Sequence, residues 1–234
     1  MIAPAAALAG LALIAQPASA CRLALVLAVD VSSSVDAAED ALQRQGLAQA
    51  LVDPAVMAAF FASDDPVAIS VFEWSGRYNQ APLADWTMMQ SPADLRRLSA
   101  RIAGSIRSHN DFPTAMGYAL GHAAGLLQRG PDCLFRTVDI AGDGINNEGF
   151  GPAEAYNAFP FEDVTVNGLV VNAADFEGEV GLIPFFQNEV IRGPGAFIEI
   201  AATFDDYGPA MRRKLIRELG VQMLGGTPLL SSGG

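Results

Sequence analysis

Residues 23–29 read Leu-Ala-Leu-Val-Leu-Ala-Val, seven apolar side chains in a row, and the run stops at Asp30. Side chains on a strand point alternately to its two faces, so a strand with no polar member has no face to offer to water. Both faces must be covered, which points to the centre of a parallel sheet with helices packed above and below. Five more β-rich runs fit beside it, at 67–73, 81–87, 134–141, 164–171 and 196–202. Segments with apolar residues three and four apart predict helices over 35–51, 92–106, 115–127, 176–191 and 206–219. The alternation predicts an α/β fold, a doubly wound, mostly parallel six-stranded sheet with helices on both faces. Only Ser75-Gly76-Arg77-Tyr78-Asn79 joins the second strand to the third, and so short a link makes these two an antiparallel pair at the sheet edge. Inside the fifth run, Asn167-Gly168 is also a strong tight-turn signal, so a hairpin there competes with a single strand.

With 234 residues, 51% hydrophobic and 17% charged, the chain has material for one sizeable core and little for a second domain. Its net charge of −12 supplies no basic stripe for a phosphate backbone, which argues against nucleic acid as a partner. Residues 1–20 carry no charged side chain, have an apolar centre and end in Ala18-Ser19-Ala20, a small-x-small cleavage pattern. Pro4, Gly10, Gln16 and Pro17 interrupt this stretch, so it reads as a signal peptide rather than a membrane span. The expected organisation is a signal peptide at 1–20, one domain at 21–224 and a flexible Gly/Ser-rich tail at 225–234, with no integral membrane span in the mature chain. The expected location is periplasmic or secreted.

Cleavage would leave Cys21 at the new N-terminus, where two fates exclude each other. The thiol can carry a lipid anchor, or it can pair with Cys133, the other cysteine. Bacterial lipoprotein signals usually place Leu where this chain has Ala18, and export permits a disulfide, so the Cys21–Cys133 pair is the favoured outcome.

The chemistry starts where the first strand ends, in Asp30-Val31-Ser32-Ser33-Ser34. One carboxylate and two hydroxyls at alternate positions of an extended loop are hard donors that can face one ion, of the Mg2+ or Mn2+ kind rather than a soft metal. The serines can equally cap the helix that follows, with Asp36 and Glu39 favouring its positive end. A second strand end, Gly142-Asp143-Gly144, supplies another carboxylate, and ligands of open α/β sheets bind between such carboxyl ends where the winding reverses. Thr114 opens a helical segment between the two and is either a donor or a cap.

Asp-x-Ser-x-Ser, then Thr, then Asp-Gly after the fourth strand resembles the metal-ion-dependent adhesion site (MIDAS) of von Willebrand factor type A domains, and the likeness in element order extends over nearly all of the chain after residue 20. The resemblance implies that Ser32, Ser34 and Thr114 contact a cation through their hydroxyls, while Asp30 and Asp143 act directly or through water. It also implies a type A (Rossmann-like) fold and a protein partner that completes the coordination with a carboxylate. Loops at 73–78, 108–113 and 145–150 would then set specificity. One departure stands out. Family members often run straight from a hydrophobic strand into Thr-Asp-Gly, whereas Asp139-Ile140-Ala141-Gly142-Asp143-Gly144 carries an extra acid, Asp139, inside the strand. This stretch, with Asn146-Asn147-Glu148, is similar to a bacterial family of exported type A-like proteins.

The expected function is therefore a non-enzymatic binding module. Its alternatives are a Mg2+-dependent phosphohydrolase, which also uses strand-end aspartates, and a structural envelope lipoprotein that ignores the metal. The two histidines, His109 and His122, lie in no metal or triad pattern, and no Gly-x-Ser-x-Gly elbow is present. Asp143, Asn146, Asn147 and Glu148 lack the spacing of a twelve-residue calcium loop and read better as an Asn-rich turn.

Overall fold

The computed structural model describes residues 21–172 and 180–225. Six strands, β1 (Cys21–Asp30), β2 (Val67–Trp74), β3 (Gln80–Met89), β4 (Cys133–Gly142), β5 (Val164–Val171) and β6 (Ile198–Ala201), form one sheet in the order β3-β2-β1-β4-β5-β6. All neighbouring pairs are parallel except β2 with β3, which is antiparallel as the short connection requires. Every residue of β1 is buried, as a strand without a polar face demands. Val164–Val171 is a single strand, so Asn167-Gly168 makes no hairpin.

Helices α1 (Ala37–Leu51), α2 (Pro54–Phe60), α3 (Pro92–Ala103) and α7 (Tyr207–Gly225) cover one face, over a core that includes Leu23, Leu25 and Leu27 of β1. The other face carries α4 (Met116–Arg129), α5 (Pro152–Ala158) and α6 (Leu182–Phe185), over Ala24, Val26 and Ala28. The expected helix over 176–191 differs from this. In its described part only Leu182–Phe185 is α-helical, and Phe186–Val190 continues with the wider π spacing. The expected signal peptide and all of the expected tail beyond Gly225 lie outside the described residues, and no described helix is long and apolar enough to cross a membrane.

Cys21 and Cys133 start β1 and β4, face each other in register and are joined by a disulfide that spans 112 residues of sequence. The two strands that end in Asp30 and Gly142 are thus stapled at one end and free to present their loops at the other.

Candidate metal centre

β1 delivers Asp30 to the sheet's upper edge, where its backbone carbonyl accepts from Gln43 Nε2 at 3.0 Å. Its Oδ1 accepts from the backbone N–H of Ser32 at 2.7 Å, an Asx-type turn that folds the chain back at once. That turn brings the hydroxyls inward. Ser32 Oγ and Ser34 Oγ lie 3.0 Å apart, Ser34 Oγ donates to Asp143 Oδ1 at 2.7 Å, and Thr114 Oγ1 donates to Ser32 Oγ at 3.2 Å. The five residues expected from the sequence therefore meet in one cluster, although 82 and 109 positions separate the bonded pairs from different segments. Asp30, Ser32 and Thr114 are buried, while Ser34 is exposed and Asp143 half-buried, so the cluster opens to solvent on one side.

Neither helix needs these side chains as caps. Asp36 caps α1, with Oδ1 accepting from Ala38 and Glu39 N–H, while Glu39 returns the bond to the Asp36 N–H. At α4 the free N–H groups of Met116 and Gly117 point to Asn146 Oδ1, and the Thr114 N–H points to Asn147 Oδ1 at 2.8 Å. Asn147 and Glu148 in turn donate to the Thr114 carbonyl. The Asn-rich turn is a brace that fixes Thr114 beside Ser32. Gly117 makes the brace possible, because an added Cβ would lie 2.2 Å from the Phe150 carbonyl oxygen.

Asp30 Oδ2 is fully buried and has no hydrogen-bond partner. Burial, reinforced by the nearby charge of Asp143, pushes the Asp30 carboxyl up to about 8. A buried carboxyl with an idle oxygen, a second carboxyl and three hydroxyls make a hard-donor set, which fits a small divalent cation of the Mg2+ or Mn2+ type. Among the described residues no group of three or more His, Cys, Asp or Glu is placed to hold an ion. Here hydroxyls supply what extra carboxylates would.

One feature escaped the sequence reading, and one that stood out in it finds its partner here. Arg107, in the irregular segment after α3, spreads its guanidinium over backbone carbonyls of the Asp30–Asp36 loop. Asp139 is buried in β4 and pairs with Lys214 Nζ of α7 at 2.5 Å. It is an ion partner for a helix rather than part of the cluster. His122 packs on the Phe72 ring, and burial lowers its pKa.

The protein family of unknown function DUF1194 matches residues 20–223. The chain belongs to that family. No curated protein matches it significantly. Among solved structures, proximal thread matrix protein 1 from the mussel byssus, with a zinc-occupied MIDAS motif, superposes with a TM-score of 0.58 at 18% identity, covering 87% of this chain and 49% of that one. A von Willebrand factor type A protein from Catenulispora acidiphila gives 0.56 at 15% identity, over 86% and 43%. The pilus adhesin SpaC from Lactobacillus rhamnosus GG gives 0.59 at 12%, over 89% and 31%. The chain spans half or less of the length of these three proteins. At such identities the likeness establishes the fold, and this DUF1194 chain has the von Willebrand type A fold.

Proposed function

We propose that this DUF1194 protein is an exported binding module that holds Mg2+ or Mn2+ at Asp30, Ser32, Ser34, Thr114 and Asp143 and uses it to dock an acidic side chain of a protein partner. The observation that carries the reading is the buried, idle Asp30 Oδ2 within a converged set of hard oxygens. When bound, such a cation supplies an open coordination position that attracts a carboxylate. The three hydroxyls bring no charge, so where Asp30 and Asp143 act through water the ion's open position keeps its pull on an incoming carboxylate. The solvent-open side at Ser34 and Asp143 is where a partner would approach.

Binding without catalysis is favoured because no histidine among the described residues hydrogen-bonds to the cluster: His109 Nδ1 meets Ser108 Oγ, and His122 stacks on Phe72. A zinc-occupied MIDAS in one structural neighbour, and the fact that another is a pilus adhesin, support the same reading. The disulfide occupies the Cys21 thiol that a lipid would need, and it suits an oxidising compartment, so we place the protein free in the periplasm or outside the cell.

Isothermal titration of Mg2+ and Mn2+ into metal-stripped residues 21–234 tests the proposal. The wild type should bind one ion and folded Ser32→Ala should lose it; absence of binding by the wild type would end the reading.

A further inference from the structure

Residues 104–113 have no helical or strand repeat, yet they are held as firmly as an element. Glu73, at the end of β2 and 1% exposed, accepts the Ser108 backbone N–H at 2.6 Å. Arg44 of α1 fixes Glu73 in turn, donating from Nη2 to its Oε2 and from Nε to Asp40. Arg44 Nη1 also reaches Ser105 Oγ at 2.6 Å. This chain of charges sets the start of the segment.

Arg107 then turns back across the metal loop. Nη2 donates to the carbonyls of Val31 at 2.8 Å and Ser32 at 2.9 Å, Nη1 to Val35 at 2.6 Å, and Nε to His109 at 2.6 Å. Weaker reaches to Asp36 and Asn110 complete the fan. All of these acceptors are backbone carbonyls rather than carboxylates. Val31, Ser32 and Val35 thus turn their carbonyls to one guanidinium while the Ser32 and Ser34 side chains turn to the cluster. The Ser33 N–H donates to the Phe112 carbonyl at 2.8 Å, so the same two segments are tied a second time, two residues before Thr114.

We propose that Arg107 is the positioning residue of the metal centre: its planar fork fixes the carbonyls of Val31, Ser32 and Val35, and through them the aim of the Ser32 and Ser34 hydroxyls. The inference rests on the metal-binding reading above. A lysine cannot replace it, because an ammonium is a point donor that does not span carbonyls on two segments in fixed directions.

The test is titration of Mn2+ into EDTA-stripped wild type, Arg107→Lys and Arg22→Lys, with thermal unfolding of each in EDTA. Arg22 is a control of the same kind far from the cluster, 4% exposed and donating to the carbonyls of Ala59 and Phe60. Arg107→Lys should lose about tenfold or more in Mn2+ affinity, the usual cost of removing a group that orients a metal ligand. Arg22→Lys should keep wild-type affinity even where its Tm falls as far. For Arg107→Ala, millimolar guanidinium should restore part of the lost affinity, which a general loss of stability would not allow. Wild-type affinity in Arg107→Lys, equal losses in both lysine variants, or no rescue by guanidinium overturns the assignment. A wild type that binds no Mn2+ sinks the metal-binding reading itself, and the two failures are therefore separable.

Discussion

Two pairs of acids sit against the same sheet and are treated in opposite ways. In the middle of β4, Asp139 faces Glu218 of α7, and Lys214 lies between them, 2.5 Å from Asp139 and 2.9 Å from Glu218. Asn167 adds a bond to Glu218 at 2.6 Å, and all four side chains are buried. At the carboxyl ends of β1 and β4, Asp30 faces Asp143, but the groups between them are serine and threonine hydroxyls. Burial pushes the acid up in both places, Asp139 to about 7 and Asp30 to about 8, with the second acid as the next cause. At Asp139 the Lys214 charge pulls the other way. The sealed pair has the Lys214 ammonium between its two acids, whereas serine and threonine hydroxyls stand between Asp30 and Asp143. A chain that can place a lysine between buried acids, and places hydroxyls there instead, leaves room for a cation from solution.

The sharpest way to break this comparison is to remove the built-in cation. Lys214→Met strands two buried carboxyls and should cost about 3–5 kcal/mol of unfolding free energy by urea denaturation, the range for breaking a buried ion pair on one side. A cost below about 1 kcal/mol would mean the sealed cluster does not need its lysine. At the open pair the sign should reverse. Asp30→Asn keeps an acceptor for the Ser32 N–H but removes a carboxyl whose ionised form burial disfavours, so in EDTA above about pH 8 it should stabilise the protein by roughly 1–3 kcal/mol while abolishing Mg2+ binding. Destabilisation in EDTA would contradict the idea of an uncompensated carboxylate.

The pH dependence sharpens the same contrast. Asp30 has a folded pKa of about 8 against 3.8 in the unfolded chain, so the folded state binds the extra proton. Its contribution is fully present below about pH 4 and is lost as pH rises towards 8, at up to about 1.4 kcal/mol per pH unit. Asp139 acts in the same direction up to about pH 7. In EDTA, stability should therefore fall from pH 5 to pH 8 (on the order of 1 kcal/mol per unit), and saturating Mg2+ should flatten the part due to Asp30. An equal slope with and without Mg2+ would separate the ion from Asp30. The smallest effect belongs to the exposed rim. Arg77→Ala breaks a 3.3 Å pair with Glu148 in which Arg77 is 46% exposed, and should change stability by less than about 1 kcal/mol with no change in metal affinity. A large loss of affinity would extend the metal centre into the 75–79 loop.

Much of the fold was legible because β1 has no polar face and because the short Ser75–Asn79 link leaves β2 and β3 no parallel option. The helices at Pro54–Phe60 and Pro152–Ala158 were not read, since seven residues give a 3.6-residue repeat fewer than two full turns to show itself. In the described part of the expected helix over 176–191, Gly181 precedes α6 at Leu182–Phe185, and the backbone widens into π spacing from Phe186.

The five candidate donors were visible because strand ends and helix starts pin side chains to known places. Arg107 was invisible because its partners are backbone carbonyls, which leave no pattern of residue types. Asp139 stood out as an anomaly that the sequence could not resolve, since its lysine lies 75 positions later, on α7. That partner accounts for the extra acid as the counter-ion of a buried lysine.

The most direct measurement is the anomalous difference map of crystals grown with Mn2+. The account predicts one strong peak between the two strand ends, within coordinating reach of the hydroxyl oxygens of Ser32 and Ser34, and its disappearance in Asp30→Asn. A peak elsewhere, or none at millimolar Mn2+ in crystals of the intact wild type, would contradict it.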